Sequence, residues 1–333
     1  MGISVFSRVT PARALLFLVF GFFFSLSAHA GHGVDAYTIE AGVSGNILPE
    51  QALNGKGHQV RPNIGVLQNK HITFPFPNGT AKVAERRSMI VNENGQTWVG
   101  KFQGATGGTM VFARRKGVVS GIIDDGENLY ELIPGKSGKS ILFKVDESKL
   151  PPVATPIAGS TTGGGDGGST VENTSASGVI QDLMVVYSPA VRSAYGGTTQ
   201  TENAILNTVA ATNQAYVDSL VDIQLNVVHM AEVNYTENGD MGDTLTRLRL
   251  TSDGYMDEVH QWRNAYGADL VAMVSNDGNY CGIAYIPNSV STSQAYIAFS
   301  VTGRGCMSGA TFDHELGHNQ GACHDRAETS CYY

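Results

Sequence analysis

The order of apolar segments predicts an α/β (α+β) domain on a mixed, mainly parallel sheet, preceded by a β-rich segment. Three observations carry this expectation. After residue 178, short apolar runs alternate with longer stretches of helical periodicity. Before residue 151, strand-length runs are separated by turn residues. Between the two lies a stretch rich in Gly, Ser, Thr and Pro with no periodicity. Composition agrees: 42% hydrophobic and 16% charged residues supply a core and exclude wholesale disorder, and 40 glycines favour turns and strands over a helical bundle. The net charge of −8, without a basic block or an interleaved aromatic stripe, argues against a nucleic-acid partner.

Residues 1–30 read as a secretory signal peptide. Arg8 and Arg13 give a positive start, an apolar run covers Ala14 to Leu26, and Ala28-His29-Ala30 supplies small residues for cleavage after Ala30. A retained membrane anchor is the alternative, but the run is short for a bilayer span. No later stretch is long and apolar enough to cross, so the mature chain is expected to be exported and free of the membrane.

In the β-rich part, 31–150, strands are expected at Thr97–Phe102, Gly108–Ala113, Val118–Ile123 and Leu129–Ile133, with turns at Asp125-Gly126 and Pro134-Gly135. His58 and His71 stand alone in turn-rich sequence, and Arg114-Arg115-Lys116 reads as a solvated turn. Residues 151–178, opening with Pro151-Pro152, read as a flexible linker.

In the last part, 179–333, Asp182–Tyr187 is an apolar strand. Ile205, Leu206, Val209, Tyr216, Val217 and Leu220 form a helical stripe within 201–220. Ile223, Leu225 and Val227 alternate with polar residues as a half-buried strand. Met256, Val259, Trp262 and Tyr266 make a second helix that Gly267 can cap, and Leu270–Val274 is a strand buried on both faces. His229 and His260 fall on these elements as isolated residues. The cysteines are Cys281, Cys306, Cys323 and Cys331; an even number in an exported chain suggests two disulfides. Three pairings are open, and local loop closure favours Cys281 with Cys306 and Cys323 with Cys331.

The chemistry-bearing stretch runs from Thr311 to Asp325. His314 and His318 are four apart, so a helix puts both imidazoles on one face, where they can share an ion. Glu315 is adjacent, placed to take a proton from water rather than to ligate. Gly321 allows the left-handed turn that ends the helix, and the chain can return to offer His324 as a third ligand. Three protein ligands and one open position form the catalytic pattern for one zinc ion. A helix with surface histidines and no metal is the plain alternative. Cys323 reads as a disulfide partner rather than a ligand, and Glu328 lies too close to serve as third ligand where His324 fits.

The string His314-Glu315-Leu316-Gly317-His318-Asn319-Gln320-Gly321, followed by His324-Asp325, resembles the metzincin signature of zinc endopeptidases. The Asp after the third His resembles the adamalysin (reprolysin) branch, and Asn276–Tyr285 is similar to the Cys-Gly-x-Ala stretch that precedes its active-site helix. The resemblance covers about 179–333. It implies a metzincin-like domain, zinc on His314, His318 and His324, Glu315 as general base, and protein or peptide substrates. It also implies that Ala295, Tyr296, Ile297, Ala298 and Phe299 lie on the edge strand that pairs with substrate, with Gly321 and Asp325 structural. Some bacterial relatives are peptidyl-Asp metalloendopeptidases. Signal, β-rich segment and linker resemble a pre-pro-enzyme, with the N-terminal segment as inhibitor. Residues 31–280 contain no cysteine, so inhibition is expected through a carboxylate, such as Asp124 or Asp125, or through steric cover. The family's methionine turn is absent before Tyr333, so the chain is expected to be C-terminally incomplete. The competing reading is a non-catalytic exported remnant that binds a partner.

Overall fold

A computed structural model describes residues 33–44, 48–104, 108–135, 137–159 and 178–324. The expected signal peptide, most of the expected linker, Asp325 and Cys331 lie outside the described residues.

The β-rich part forms one ten-stranded sheet. Its strands are β1 (Val34–Asp35), β2 (Tyr37–Ser44), β3 (Lys56–Pro62), β4 (His71–Pro75), β5 (Ala81–Asn92), β6 (Gly95–Phe102), β7 (Thr109–Arg115), β8 (Val118–Asp124), β9 (Leu129–Pro134) and β10 (Ser140–Lys144). They lie in the order β1-β4-β5-β6-β7-β8-β9-β10-β3-β2. β4 to β10 form an antiparallel meander, because each turn is too short for a crossover. The four strands expected from sequence fall in β6 to β9. Alternation buries one face: β4 hides Ile72 and Phe74, which pack with Trp98, Phe112, Ile123 and Leu142. The indole of Trp98 is fully buried, and its N–H donates to the Asn69 carbonyl at 3.0 Å.

The following part is a mixed α/β layer. Its strands are β11 (Ile157–Ala158), β12 (Val179–Tyr187), β13 (Ile223–Glu232), β14 (Leu270–Ser275), β15 (Gly282–Ile286) and β16 (Phe299–Gly303). The helices are α1 (Pro189–Tyr195), α2 (Thr198–Asp218), α3 (Met241–Arg249), α4 (Glu258–Tyr266) and α5 (Thr311–Asn319). The sheet order is β11-β15-β16-β14-β12-β13, and every pairing is parallel except β15 with β16. Ser188 caps α1 by accepting from the Val191 N–H, with Pro189 at the first helical position. Gly267 closes α4 at φ +66°.

α2 is covered on two sides. Ile205, Leu206, Val209 and Tyr216 face the core beside β12 and β14. The opposite side meets the ten-stranded sheet, where Ala210 packs on Val99 and Val111. There the Asn203 amide donates to the Ala113 carbonyl and the Ser120 hydroxyl at 3.1 and 2.9 Å, and Arg115 pairs with Glu202 at 2.6 Å. A helix buried by polar contacts on one side carries only a weak amphipathic signal, which is why its sequence shows a single stripe.

Two expectations need correction. Residues 151–159, expected as the start of a flexible linker, run along β15: Cys281 N–H donates to the Pro152 carbonyl, Ala154 N–H to Gly282 and Gly159 N–H to Ile286, at 2.8–3.0 Å. The extended backbone suits this, because prolines favour it and leave the other N–H groups free to pair. The expected edge strand over Ala295–Phe299 is not one either. Thr292–Ile297 forms a 3-10 turn, and Phe299 opens β16, an inner strand between β14 and β15. Ile297 and Phe299 point into the core, at 2% and 1% exposure, so this run has no free edge for a peptide.

Glu131 lies at the junction of the two layers, beside a small cavity lined also by Tyr195, Asn207 and Ser308. Burial pushes its carboxyl up to about 7 from 4.5, and the Ser308 hydroxyl and Arg304 charge offset this only in part. The folded state therefore holds a proton that the unfolded chain releases above pH 4.5. Stability is fully present below that value and falls as pH rises through 7, by about 3 kcal/mol in all. Glu131→Gln is expected to flatten this slope. Denaturant unfolding at pH 5, 6, 7 and 8 checks it, and an unchanged slope in the variant would assign the dependence to another group.

Candidate metal centre and active-site helix

α5 presents three pairs at i, i+4 spacing, each with its own partner. Phe312 and Leu316 are fully buried in the core. His314 and His318 point away from that core toward His324. Glu315 and Asn319 face β15. Burial of the first pair fixes the helix's rotation, and that rotation aims the other two.

The chain after α5 brings in the third histidine. Gly321 adopts φ +96°, and a side chain there would also come within 2.8 Å of Val290. The turn is closed by Gly321 N–H to the His318 carbonyl and Ala322 N–H to the Gly317 carbonyl, at 2.9 and 2.8 Å. His324 returns so that its Nε2 lies 2.9 Å from that of His314 and 3.1 Å from that of His318, which are themselves 3.0 Å apart. Among the described residues, these three are the one group of His, Cys, Asp or Glu side chains placed to hold an ion. His58, His71, His229 and His260 are not part of it.

The donor set fits zinc. His318 Nδ1 lies 2.7 Å from the Ala322 carbonyl, which can only accept, so the proton sits on Nδ1 and the Nε2 lone pair faces the cluster. Burial, then the neighbouring His318 and His324, push His314 down to about 4, which keeps its imidazole in the neutral, ligating form. Three convergent imidazole lone pairs repel one another unless a cation lies between them. Three nitrogen ligands with room for a fourth suit zinc. A cleft of about 350 Å³ opens beside the cluster, lined by His314, His318, Tyr216 and Cys323 among others.

Glu315 is fully buried, and neither carboxylate oxygen has a hydrogen-bond partner among the described residues. Burial pushes it up to about 8. An orphaned carboxyl is costly, which makes this one, next in the chain to a histidine cluster, a candidate for chemistry. Gly282 on β15 makes its space: a Cβ there would lie 2.4 Å from Glu315 Oε1.

Cys281 and Cys306 are joined by a disulfide, with Cα atoms 5.5 Å apart, tying the start of β15 to the segment before α5. Cys323 is disulfide-bonded too. Sequence reasoning quoted Gly282 and Asn319 within its motifs but gave neither a role, because those roles depend on β15 and α5, which are distant in the chain, meeting in the fold.

Comparison with known proteins agrees with this geometry. Residues 202–325 match the family model for the reprolysin-like metallopeptidases, family M12B. A peptidyl-Asp metalloendopeptidase of Xanthomonas campestris pv. campestris is 36% identical over 65% of this chain and 52% of its own length. The chain thus spans about half of that relative. A peptidyl-Asp metalloendopeptidase of Stenotrophomonas maltophilia strain R551-3 is 30% identical over 81% of this chain and 67% of its own length. Metalloproteinase-II from Bacteroides fragilis is similar in fold, with a TM-score of 0.50 at 11% identity, covering 79% of this chain and 84% of that one.

Proposed function

Because the chain belongs to the reprolysin-like M12B metallopeptidases, we propose that it is an exported zinc endopeptidase whose N-terminal part covers its own substrate edge. One observation carries the reading: three imidazole Nε2 atoms within 3.1 Å of one another, next in the chain to a buried Glu315 whose carboxylate has no hydrogen-bond partner among the described residues. His314, His318 and His324 hold the ion. When bound, zinc supplies Lewis-acid polarisation of the scissile carbonyl. Glu315 takes the proton of the attacking water and hands it to the leaving amine. The Ala322 carbonyl holds His318 in its ligating tautomer.

The substrate edge in this reading is the side of β15 that faces away from β16, where β11 now pairs. An extended peptide adds to such an edge through its backbone. Residues 152–159 lie there now, as steric cover that needs neither a cysteine nor a carboxylate on the metal. Export rests on the signal sequence at 1–30; among the described residues no helix is long and apolar enough to cross a membrane. Peptide bonds at aspartyl residues are the substrates to try first, because the relatives are named peptidyl-Asp metalloendopeptidases.

Metal analysis of the purified protein should find one zinc per chain, and His318→Ala should lose it. Chelation should stop peptide cleavage, and added zinc should restore it. Cleavage that continues after the metal is stripped would sink the proposal.

A further inference from the structure

We infer that Asn319 is a positioning residue, which locks α5 to β15 and so sets the distance between a strand paired on β15 and the histidine cluster. The inference rests on the peptidase reading above and deepens it.

Asn319 is the last residue of α5, next to His318, and only 7% exposed. Its Nδ2 donates to the Tyr285 carbonyl at 2.7 Å and to the Phe299 carbonyl at 3.0 Å. Both partners can only accept, so the amide's orientation is fixed by chemistry. The β15–β16 ladder pairs Gly282 with Thr302, Ile283 with Val301 and Ala284 with Ser300, and there it stops. Tyr285 and Phe299 would form the next pair; instead, the two N–H groups of one side chain satisfy both carbonyls. An apolar residue would fill this volume without burying an amide, and asparagine is a poor helix former. What the amide adds is a fixed link from the helix to two strands.

The position of that link matters. Tyr285 pairs on its other side with Ile157, and Ile286 accepts from Gly159 N–H. The stretch of β15 gripped by Asn319 is therefore the stretch that pairs with an incoming strand. At its other end, Gly282 backs onto Glu315, one turn earlier on the same face of α5. Glu315 and Asn319 thus hold β15 at two points a helical turn apart, one by close approach and one by hydrogen bonds.

Asn319→Leu keeps the volume and removes both donors. Asn319→Ser leaves room and can donate to only one carbonyl. The readouts are zinc content, near-UV circular dichroism, hydrogen exchange at Gly282–Ile286 and Phe299–Gly303, and kcat and KM on a dipeptide amide and on peptides of eight or more residues. Both variants are expected to keep one zinc and the fold. Exchange in Gly282–Ile286 should accelerate at least tenfold. KM on the long peptides should rise about tenfold with kcat within threefold, and the dipeptide values should hardly move. Unchanged exchange, or unchanged KM on long peptides with an active parent, overturns the inference alone. Equal losses on short and long peptides, or loss of fold in both variants, also overturn it, because the role is then purely structural. A parent that cleaves no peptide removes the peptidase reading and the inference together.

Discussion

Glu315→Gln is expected to lower kcat for peptide hydrolysis by about 10²- to 10⁴-fold, the usual contribution of a positioned general base, while the protein keeps its zinc. The substitution preserves shape and changes chemistry. The carboxyl is fully buried against Gly282, with no hydrogen-bond partner among the described residues, so a residue of the same volume should leave the packing alone. The three imidazoles do not depend on it. His318 is held by the Ala322 carbonyl, and the return of His324 is set by the turn at Gly321. Metal content and activity should therefore separate: one zinc in both proteins, turnover in one. An amide is also cheaper to bury than an ionisable group, so the variant should be at least as stable as the parent in thermal unfolding. Activity within tenfold of the parent would show that some other group takes the proton. Loss of zinc would show that Glu315 helps to hold the ion.

The histidine cluster was legible in the sequence because its geometry is local. Helical spacing puts His314 and His318 on one face, and a glycine that can adopt a left-handed turn is all that His324 needs to return. Strands β6 to β9 and β12 to β14 were legible for a similar reason: alternation, apolar runs and turn residues lie within a few positions of one another. What depends on the order of strands in space was not. The apolar run Ala295–Val301 does contain a strand, but whether that strand is inner or outer is decided by β15, which precedes it and folds antiparallel beside it. The polar side of α2 carries no apolar stripe to announce a partner and is covered by a sheet that begins more than a hundred residues earlier. Residues 151–159 carry prolines and no periodicity, which is the signature of a linker and also of a strand held only by its backbone. Asn319 gave no signal beyond being a polar residue in the last turn of a helix, where asparagine often sits for reasons of capping. Burial is what changes its meaning.

The cover on β15 leads to the other large effect. Ala154→Pro combined with Gly159→Pro is expected to raise kcat/KM on extended peptides by about 5- to 150-fold, the range that corresponds to about 1–3 kcal/mol. Each substitution removes an N–H that donates to β15, to the Gly282 carbonyl in one case and the Ile286 carbonyl in the other. Proline suits the extended backbone of the segment, so the change acts on the pairing rather than on the chain's own conformation. Gly159 adds a steric contribution, because a Cβ there would come within 2.6 Å of Ile297 Cδ1. The cover is also weak by construction. It pairs parallel to β15 over only Ile157 and Ala158, and parallel pairing is slightly less stable per residue than antiparallel. A peptide arriving antiparallel on the same edge would compete with that advantage, whereas the rest of the N-terminal sheet stays docked on α2 through Arg115, Asn203 and Ala210. The double variant should therefore gain activity without losing the sheet. Hydrogen exchange separates the two: amides of β15 should exchange faster, and those of β7 and β8 should not. A double variant no more active than its parent, with β15 demonstrably exposed, would mean that residues 152–159 do not limit access and that any cover comes from another part of the chain.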